Sequence, residues 1–125
     1  MDTRGYQQYK AQSINTMTQG ELLLLLYDEL VKRLTVAELA LGKENYELFE
    51  ASIQRGVEIV KYLNDTLDRK YEISRNLAQL YEYFTYELGR VKIGRRVEVL
   101  THVKSMVEEL RDAFRQAQKS GDSQK

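Results

Sequence analysis

Few side chains in this sequence could serve as catalytic or metal-binding groups. The 125 residues include one histidine, His102, and no cysteine, which excludes thiol nucleophiles, disulfides and cysteine-based zinc sites. His102 adjoins the apolar residues Leu100 and Val103 and lacks the partner groups that a catalytic base requires, so we interpret it as a half-exposed helix residue. A di-iron bundle needs two Glu-x-x-His pairs and is excluded too. We therefore expect no enzyme, no cofactor and no metal site.

Features that could bind phosphate are weak. Gly89 and Gly94 follow no strand, so they do not form a phosphate-binding loop. Cations gather in one stretch of the chain, at Arg90, Lys92, Arg95, Arg96 and Lys104. They could bind the phosphates of a nucleic acid, or they could offset the negative end of a helix dipole and stay solvated. Because Lys plus Arg and Asp plus Glu both total 19, the zero net charge favours the second interpretation, and we expect no nucleic-acid partner.

The elements that must position any site are helices of a single domain. The length suits one core, 42% of the residues are hydrophobic, and the chain has no proline and only 7 glycines. The longest apolar run, Leu22 to Tyr27, is far shorter than the ~20 residues of a membrane-spanning helix. No apolar signal sequence follows Arg4. We expect a cytoplasmic protein that does not insert into a membrane.

Apolar residues recur three and four positions apart in four stretches. This spacing predicts amphipathic helices over residues 18–42, 44–69, 74–94 and 97–118. Short connections make sequential helices antiparallel, so the sequence predicts an all-α, up-down four-helix bundle. We expect residues 1–17 to form a mobile N-terminal arm and residues 119–125 a flexible tail.

Capping residues mark the predicted helix ends. Thr18 and Glu21 have the Thr-x-x-Glu form of a capping box at the start of the first helix. Ser74 could cap the third helix, and Gly42 and Gly94 suit helix C-termini. These residues separate the four predicted helices.

Several tyrosines do not fit the core stripes. Tyr62, Tyr83 and Tyr86 project sideways from the predicted helices, while Tyr6 and Tyr9 lie in the arm. Tyrosine often marks interfaces because it offers a large apolar face at low conformational cost, although partial burial would also explain scattered tyrosines. Apolar residues beside the first stripe widen its arc, at Leu22, Leu24 and Leu25. The wider arc favours a surface that binds a partner or the arm.

A series of short motifs runs along most of the chain. Those near the N-terminus are Tyr6-Gln7-Gln8-Tyr9, Ser13-Ile14-Asn15-Thr16, Gly20-Glu21-Leu22 and Leu25-Leu26-Tyr27-Asp28. Those further on are Leu80-Tyr81-Glu82-Tyr83 and Leu110-Arg111-Asp112-Ala113-Phe114. In order and spacing, over about residues 6 to 117, the series resembles the flagellar secretion chaperone family called FliS.

The resemblance implies a non-enzymatic helical bundle that binds the disordered C-terminal region of flagellin in the cytoplasm. It implies that the chaperone prevents premature polymerisation and delivers flagellin to the flagellar type III export gate. In this family the N-terminal arm can cover an apolar pocket and move when flagellin binds, and Tyr6, Tyr9 and Ile14 match that arm. We predict that Tyr6 and Tyr9 pack on the free bundle and become available to the export gate when flagellin is bound.

The flagellin groove is predicted on apolar positions that the core stripes do not need. These are Leu22, Leu25, Ile59, Tyr62, Tyr83 and Tyr86. Some of them could instead complete the core or join two copies of the chain, so a weak homodimer is a further expectation. A self-associating or nucleic-acid-associated helical bundle stays the alternative function.

Overall fold

Four helices make up almost all of the part of the chain that the structure describes. The structure, a computed structural model, describes residues 17–123 and the side chains of residues 17–120. Its helices are α1 (Gln19–Gly42), α2 (Tyr46–Asp65), α3 (Ile73–Gly94) and α4 (Val97–Ser123). Each packs against its chain neighbours, and α4 also packs against α1, which closes the bundle. The predicted all-α four-helix bundle is confirmed, whereas Tyr6, Tyr9 and Ile14 lie outside the described residues.

The core runs along the bundle axis and is formed by the predicted apolar stripes. Its largest fully buried side chains come from all four helices: Tyr27, Leu30, Leu34, Phe49, Ile53, Val60, Leu63, Tyr81, Phe84, Leu88, Val91 and Leu100. Gly56 of α2 is buried against α1, and a Cβ at this position would make ordinary van der Waals contacts with Leu34 Cδ2 at 3.4 Å and Leu30 Cδ1 at 3.5 Å. Burial of these stripes, at roughly 25 cal/mol per Å² of apolar surface, is the main force that holds the helices together.

Side-chain caps begin the helices α1 and α2, whereas α3 begins without one. Thr18 Oγ1 accepts a hydrogen bond from Glu21 N at 3.1 Å, as predicted for α1, and Asn45 Oδ1 accepts one from Leu48 N at 3.2 Å at the start of α2. The prediction that Ser74 caps α3 is wrong. Ser74 lies inside the helix, is buried, and donates its hydroxyl proton to the carbonyl oxygen of Asp68, so it fastens the preceding loop to the bundle.

The two predicted glycines lie at helix ends, but the left-handed backbone conformation falls on other residues. Gly42 and Gly94 end α1 and α3 with negative φ, and the positive φ angles of 57° and 53° fall on Glu44 and Arg95. Such a conformation costs a non-glycine residue roughly 1 kcal/mol. The Arg95 guanidinium lies 3.5 Å from the ring centroid of Tyr46, and this cation–π contact, worth about 0.5–2 kcal/mol, offsets the cost.

Two helix ends differ from their predicted positions. The helix α2 stops at Asp65 rather than at residue 69. Directly after Asp65, the hydroxyl of Thr66 donates a hydrogen bond to the carbonyl oxygen of Tyr62 at 2.9 Å. The helix α4 continues to Ser123, beyond the predicted end at residue 118. An early end of α2 leaves residues 66–72 as a loop across one end of the bundle.

Ion pairs fix α4 against α1 at two levels. Lys104 Nζ lies 2.7 Å from Glu38 Oε1, and both side chains are about four-fifths buried. Further along α4, Arg111 and Arg115 lie 3.5 Å and 3.3 Å from Asp28 Oδ1. The second pair of contacts is more exposed and contributes at most about 1 kcal/mol, but it orients the C-terminal half of α4.

Candidate functional site

One end of the bundle contains an apolar cavity of about 590 Å³, which we call the end cavity. It lies where α1 and α3 begin and α2 ends, beside the C-terminal half of α4. Its lining consists of Gln19, Gly20, Leu22, Leu23, Leu26, Tyr62, Leu63, Thr66, Leu67, Asp68, Tyr71, Ser74, Leu77, Tyr81 and Phe114. A volume of this size is typical of ligand-binding clefts and holds several side chains.

The local sequence explains why the described residues leave a cavity at this end of the bundle. Leu22, Leu23 and Leu26 are spaced to face one side of α1, and all three are only partly buried. On the opposite wall, the loop after α2 carries Leu67, whose side chain is also partly buried. These leucines pack against the core on one side and leave apolar surface toward the cavity on the other, so the cavity offers apolar contacts to an entering segment.

Tyr81 and Phe114 line the end cavity, and both contact the fully buried Tyr27 in the core. The hydroxyl groups of Tyr27 and Tyr81 share a short hydrogen bond, and the Tyr27 ring stacks on Phe114 with 5.5 Å between ring centroids. Burial raises the pKa of Tyr27 well above the usual tyrosine range, and burial likewise raises the pKa of Tyr81. Both tyrosines are therefore neutral phenols at physiological pH.

The electrostatic character of the end cavity is weakly acidic. Asp68 contributes a carboxylate, and no Lys or Arg is found among the described residues that line the cavity. Hydroxyl and amide groups from Gln19, Thr66 and Ser74 supply the other polar atoms. The cavity is thus suited to apolar or neutral groups and is a poor site for an anion.

The structure brings only some of the predicted flagellin-groove residues together. Leu22 and Tyr62 both line the end cavity, and Tyr62 is 49% exposed. Leu25, which is 38% exposed, and Ile59, which packs partly buried against the core, are not among its lining residues. Tyr83 is 39% exposed and tilts against Phe84, also away from this cavity.

Tyr86 lies on a different surface, where α2 and α3 meet. It is 65% exposed and lines a shallower recess of about 340 Å³, which we call the side recess. The other residues of the side recess are Lys61, Asn64, Asp65, Glu82 and Thr85. Four of these five carry a charge or an amide, so the side recess has more charged side chains in its lining than the end cavity, which has only Asp68 among its described lining residues.

Sequence reasoning missed several lining residues of the end cavity. Leu23, Leu26, Leu77 and Phe114 belong to the apolar stripes that predict the helices, and helical spacing shows which side faces inward but not whether that side is filled. Tyr71 was not singled out at all. Its position in the polar stretch between the second and third predicted helices was the available signal, because an aromatic residue in a loop commonly contacts a partner.

The basic cluster of the sequence is largely engaged within the chain. Four of its cations contact neighbouring side chains: Arg90 with Glu87 at 3.0 Å, Lys92 with Gln54 at 3.3 Å, Lys104 with Glu38 at 2.7 Å, and Arg95 with the Tyr46 ring. Two of the contacts are ion pairs with carboxylates, which reduce the charge available to phosphate, and the other two restrain the side chains. They support the interpretation that the cations stabilise helix ends and helix pairs.

The described residues contain no group of three or more His, Asp or Glu side chains that could hold a metal ion. His102 is exposed on α4. Within the same part of the chain, no helix combines the length and hydropathy needed to cross a bilayer.

Comparisons with known proteins agree on one family. The family model described as flagellar protein FliS matches residues 2–121. The flagellar secretion chaperone FliS of Bacillus subtilis (strain 168) is 32% identical over 112 residues, covering 90% of this chain and 84% of the relative. The namesake chaperone of Escherichia coli (strain K12) is 24% identical over 119 residues, covering 92% and 88%.

A solved structure agrees in fold. The crystal structure of a bacterial flagellar chaperone superposes with a TM-score of 0.78, at 17% identity, over 96% of this chain and 99% of that one. The family model spans nearly the whole chain, and the relative with 32% identity is covered over most of its own length. The chain belongs to the FliS family of flagellar secretion chaperones.

Proposed function

We propose that this protein is a cytoplasmic export chaperone that binds the disordered C-terminal region of flagellin, its client. Binding covers apolar client surface that would otherwise self-associate, which prevents premature polymerisation, and the complex is delivered to the flagellar type III export gate. Membership of the FliS family and the end cavity support this proposal. The end cavity is the main structural support, because a contiguous apolar surface on a small folded domain marks a binding site.

The end cavity suits a disordered client better than a rigid partner. A segment that folds on binding can insert apolar side chains one after another, as an amphipathic helix does in a groove. Leu22, Leu26 and Leu67 would contact those side chains from two walls, while Tyr62 and Tyr71 flank the cavity. Tyr6, Tyr9 and Ile14 stay predicted contacts of the client or the export gate.

Calorimetric titration with the C-terminal segment of flagellin from the same organism tests this function. We expect a complex with a negative heat-capacity change of roughly 0.3 kcal/mol per K, because apolar surface is buried as the client orders. Raising the salt from about 50 mM to about 500 mM should change the affinity little, since the cavity walls are apolar.

Two results would contradict the proposed function. The first is the absence of both heat and a complex in gel filtration with the flagellin segment. The second is binding that collapses with salt, which would favour a charged partner at the basic cluster. A mass that rises with protein concentration in the absence of the client would instead favour the self-associating bundle.

A further inference from the structure

The Tyr27 and Tyr81 hydroxyl groups contain one more proton than their shared hydrogen bond uses. Each phenol has one donor proton, and the two oxygens form one hydrogen bond with each other. Within the described part of the chain, neither hydroxyl makes a second hydrogen bond. Because both groups stay protonated, one buried O–H has no acceptor among the described residues, and such a group is costly unless a partner supplies one.

The position of the two rings indicates which hydroxyl has the unused proton. Tyr81 lines the end cavity, although only 1% of its surface is exposed, whereas Tyr27 is not among the lining residues and is fully buried. If Tyr27 donates to the Tyr81 oxygen, the Tyr81 proton can point toward the cavity. The reverse arrangement would direct the unused proton of Tyr27 into the packed core, where an unpaired donor is most costly.

We propose that the Tyr81 hydroxyl donates a hydrogen bond to a neutral carbonyl oxygen of the client segment that enters the end cavity, and that Tyr27 holds this hydroxyl in position. The proposal rests on the proposed function. It adds a specific hydrogen bond to a mostly apolar cavity, so the bound segment must place a carbonyl beside its apolar side chains.

The surroundings of Tyr81 favour a neutral acceptor over a carboxylate. Asp68 is the charged group of the cavity lining, and the described lining residues include no Lys or Arg that could pair with an anion. An unpaired carboxylate among Leu23, Leu26 and Leu77 would lose its hydration without compensation. A backbone carbonyl or a side-chain amide of a polypeptide meets the requirement, and a disordered client has many free carbonyl groups.

Two conservative variants test the proposal by calorimetric titration with the flagellin C-terminal segment. Tyr81→Phe removes the proton offered to the client, and we expect it to weaken binding about tenfold. Tyr27→Phe removes the same inter-tyrosine hydrogen bond but leaves the Tyr81 proton, so we expect a loss of no more than about threefold. Each variant removes one oxygen and keeps its ring, and unfolding in urea should show similar destabilisation for both.

The outcomes separate this inference from the proposed function. If the wild-type protein does not bind the flagellin segment, the proposed function fails. If the wild-type protein binds and Tyr81→Phe binds equally well, the hydrogen bond to the client does not exist. Equal weakening by the two variants would also overturn the proposal, because it would mean that the pair acts only through the stability of the bundle.

Discussion

Replacing Leu22 by glutamate is expected to weaken binding of the flagellin C-terminal segment at least about 100-fold, or about 2.7 kcal/mol. Leu22 lines the end cavity, and a bound client would bury the new carboxylate. The described lining residues offer it no cation, and Asp68 adds a second negative charge. An unpaired buried carboxylate costs several kcal/mol, which accounts for the size of the effect.

Leu25→Glu is the matched control for this prediction. Leu25 lies one turn further along α1, is 38% exposed and does not line the end cavity. The two variants carry the same charge on the same helix, so long-range electrostatic effects cancel in the comparison. We expect Leu25→Glu to change the calorimetric affinity by less than about threefold, since a surface substitution away from an interface seldom exceeds ~0.5 kcal/mol.

Equal effects of the two glutamates would contradict the placement of the client in the end cavity. That result would favour a broad contact along α1, over the wide apolar arc that includes Leu22, Leu24 and Leu25. Circular dichroism checks that both variants stay folded. We expect little change in helix content, because glutamate near a helix N-terminus interacts favourably with the helix dipole.

Replacing Phe84 by alanine is expected to destabilise the bundle by about 3–5 kcal/mol. Phe84 on α3 is fully buried, and its removal leaves a cavity in the centre of the core. Because domains of this size are stable by only about 5–15 kcal/mol, the midpoint of thermal unfolding should fall by roughly 10–20 °C. Urea unfolding followed by circular dichroism measures the free energy directly.

Tyr86→Ala provides the control on the same helix. Tyr86 is 65% exposed, so its loss removes little buried surface, and we expect a change within about 0.5 kcal/mol. A Phe84→Ala variant within about 1 kcal/mol of wild type would contradict the packing of α3 described above. It would mean that the Phe84 ring is exposed in solution.

The regular part of the fold could be predicted because it depends on local spacing. The stripe that contains Tyr27, Leu30 and Leu34 lies on one face of α1, and all three side chains are buried as predicted. Thr18 caps α1 because the Thr-x-x-Glu pattern requires only neighbouring residues. Such features depend on residues a few positions apart, and a single sequence contains that information.

Features that depend on contacts between different helices, or between a loop and a helix, could not be predicted. Arg95 adopts a left-handed conformation beside the Tyr46 ring, which approaches from another helix. Ser74 looks like a cap in the sequence but binds the carbonyl oxygen of Asp68, because the loop folds back over α3. Local propensity gives way to tertiary contacts at both positions.

The candidate site was the least predictable part of the molecule. Spacing identified Leu22 and Tyr62 as positions beyond the core, and both line the end cavity. Spacing could not separate them from Tyr86, which lies in the side recess. The difference depends on where α2 stops and how the following loop crosses the end of the bundle, and no periodic pattern contains that information.

Amide chemical-shift mapping can show directly whether the client enters the end cavity. The ¹⁵N-labelled protein would be titrated with the unlabelled C-terminal segment of flagellin from the same organism. If the client enters the end cavity, the largest shifts or line broadening will occur at the amides of Leu22, Leu67 and Tyr81, which surround it. Shifts concentrated at Glu82 and Tyr86 in the side recess, with the cavity amides unmoved, would contradict entry into the end cavity.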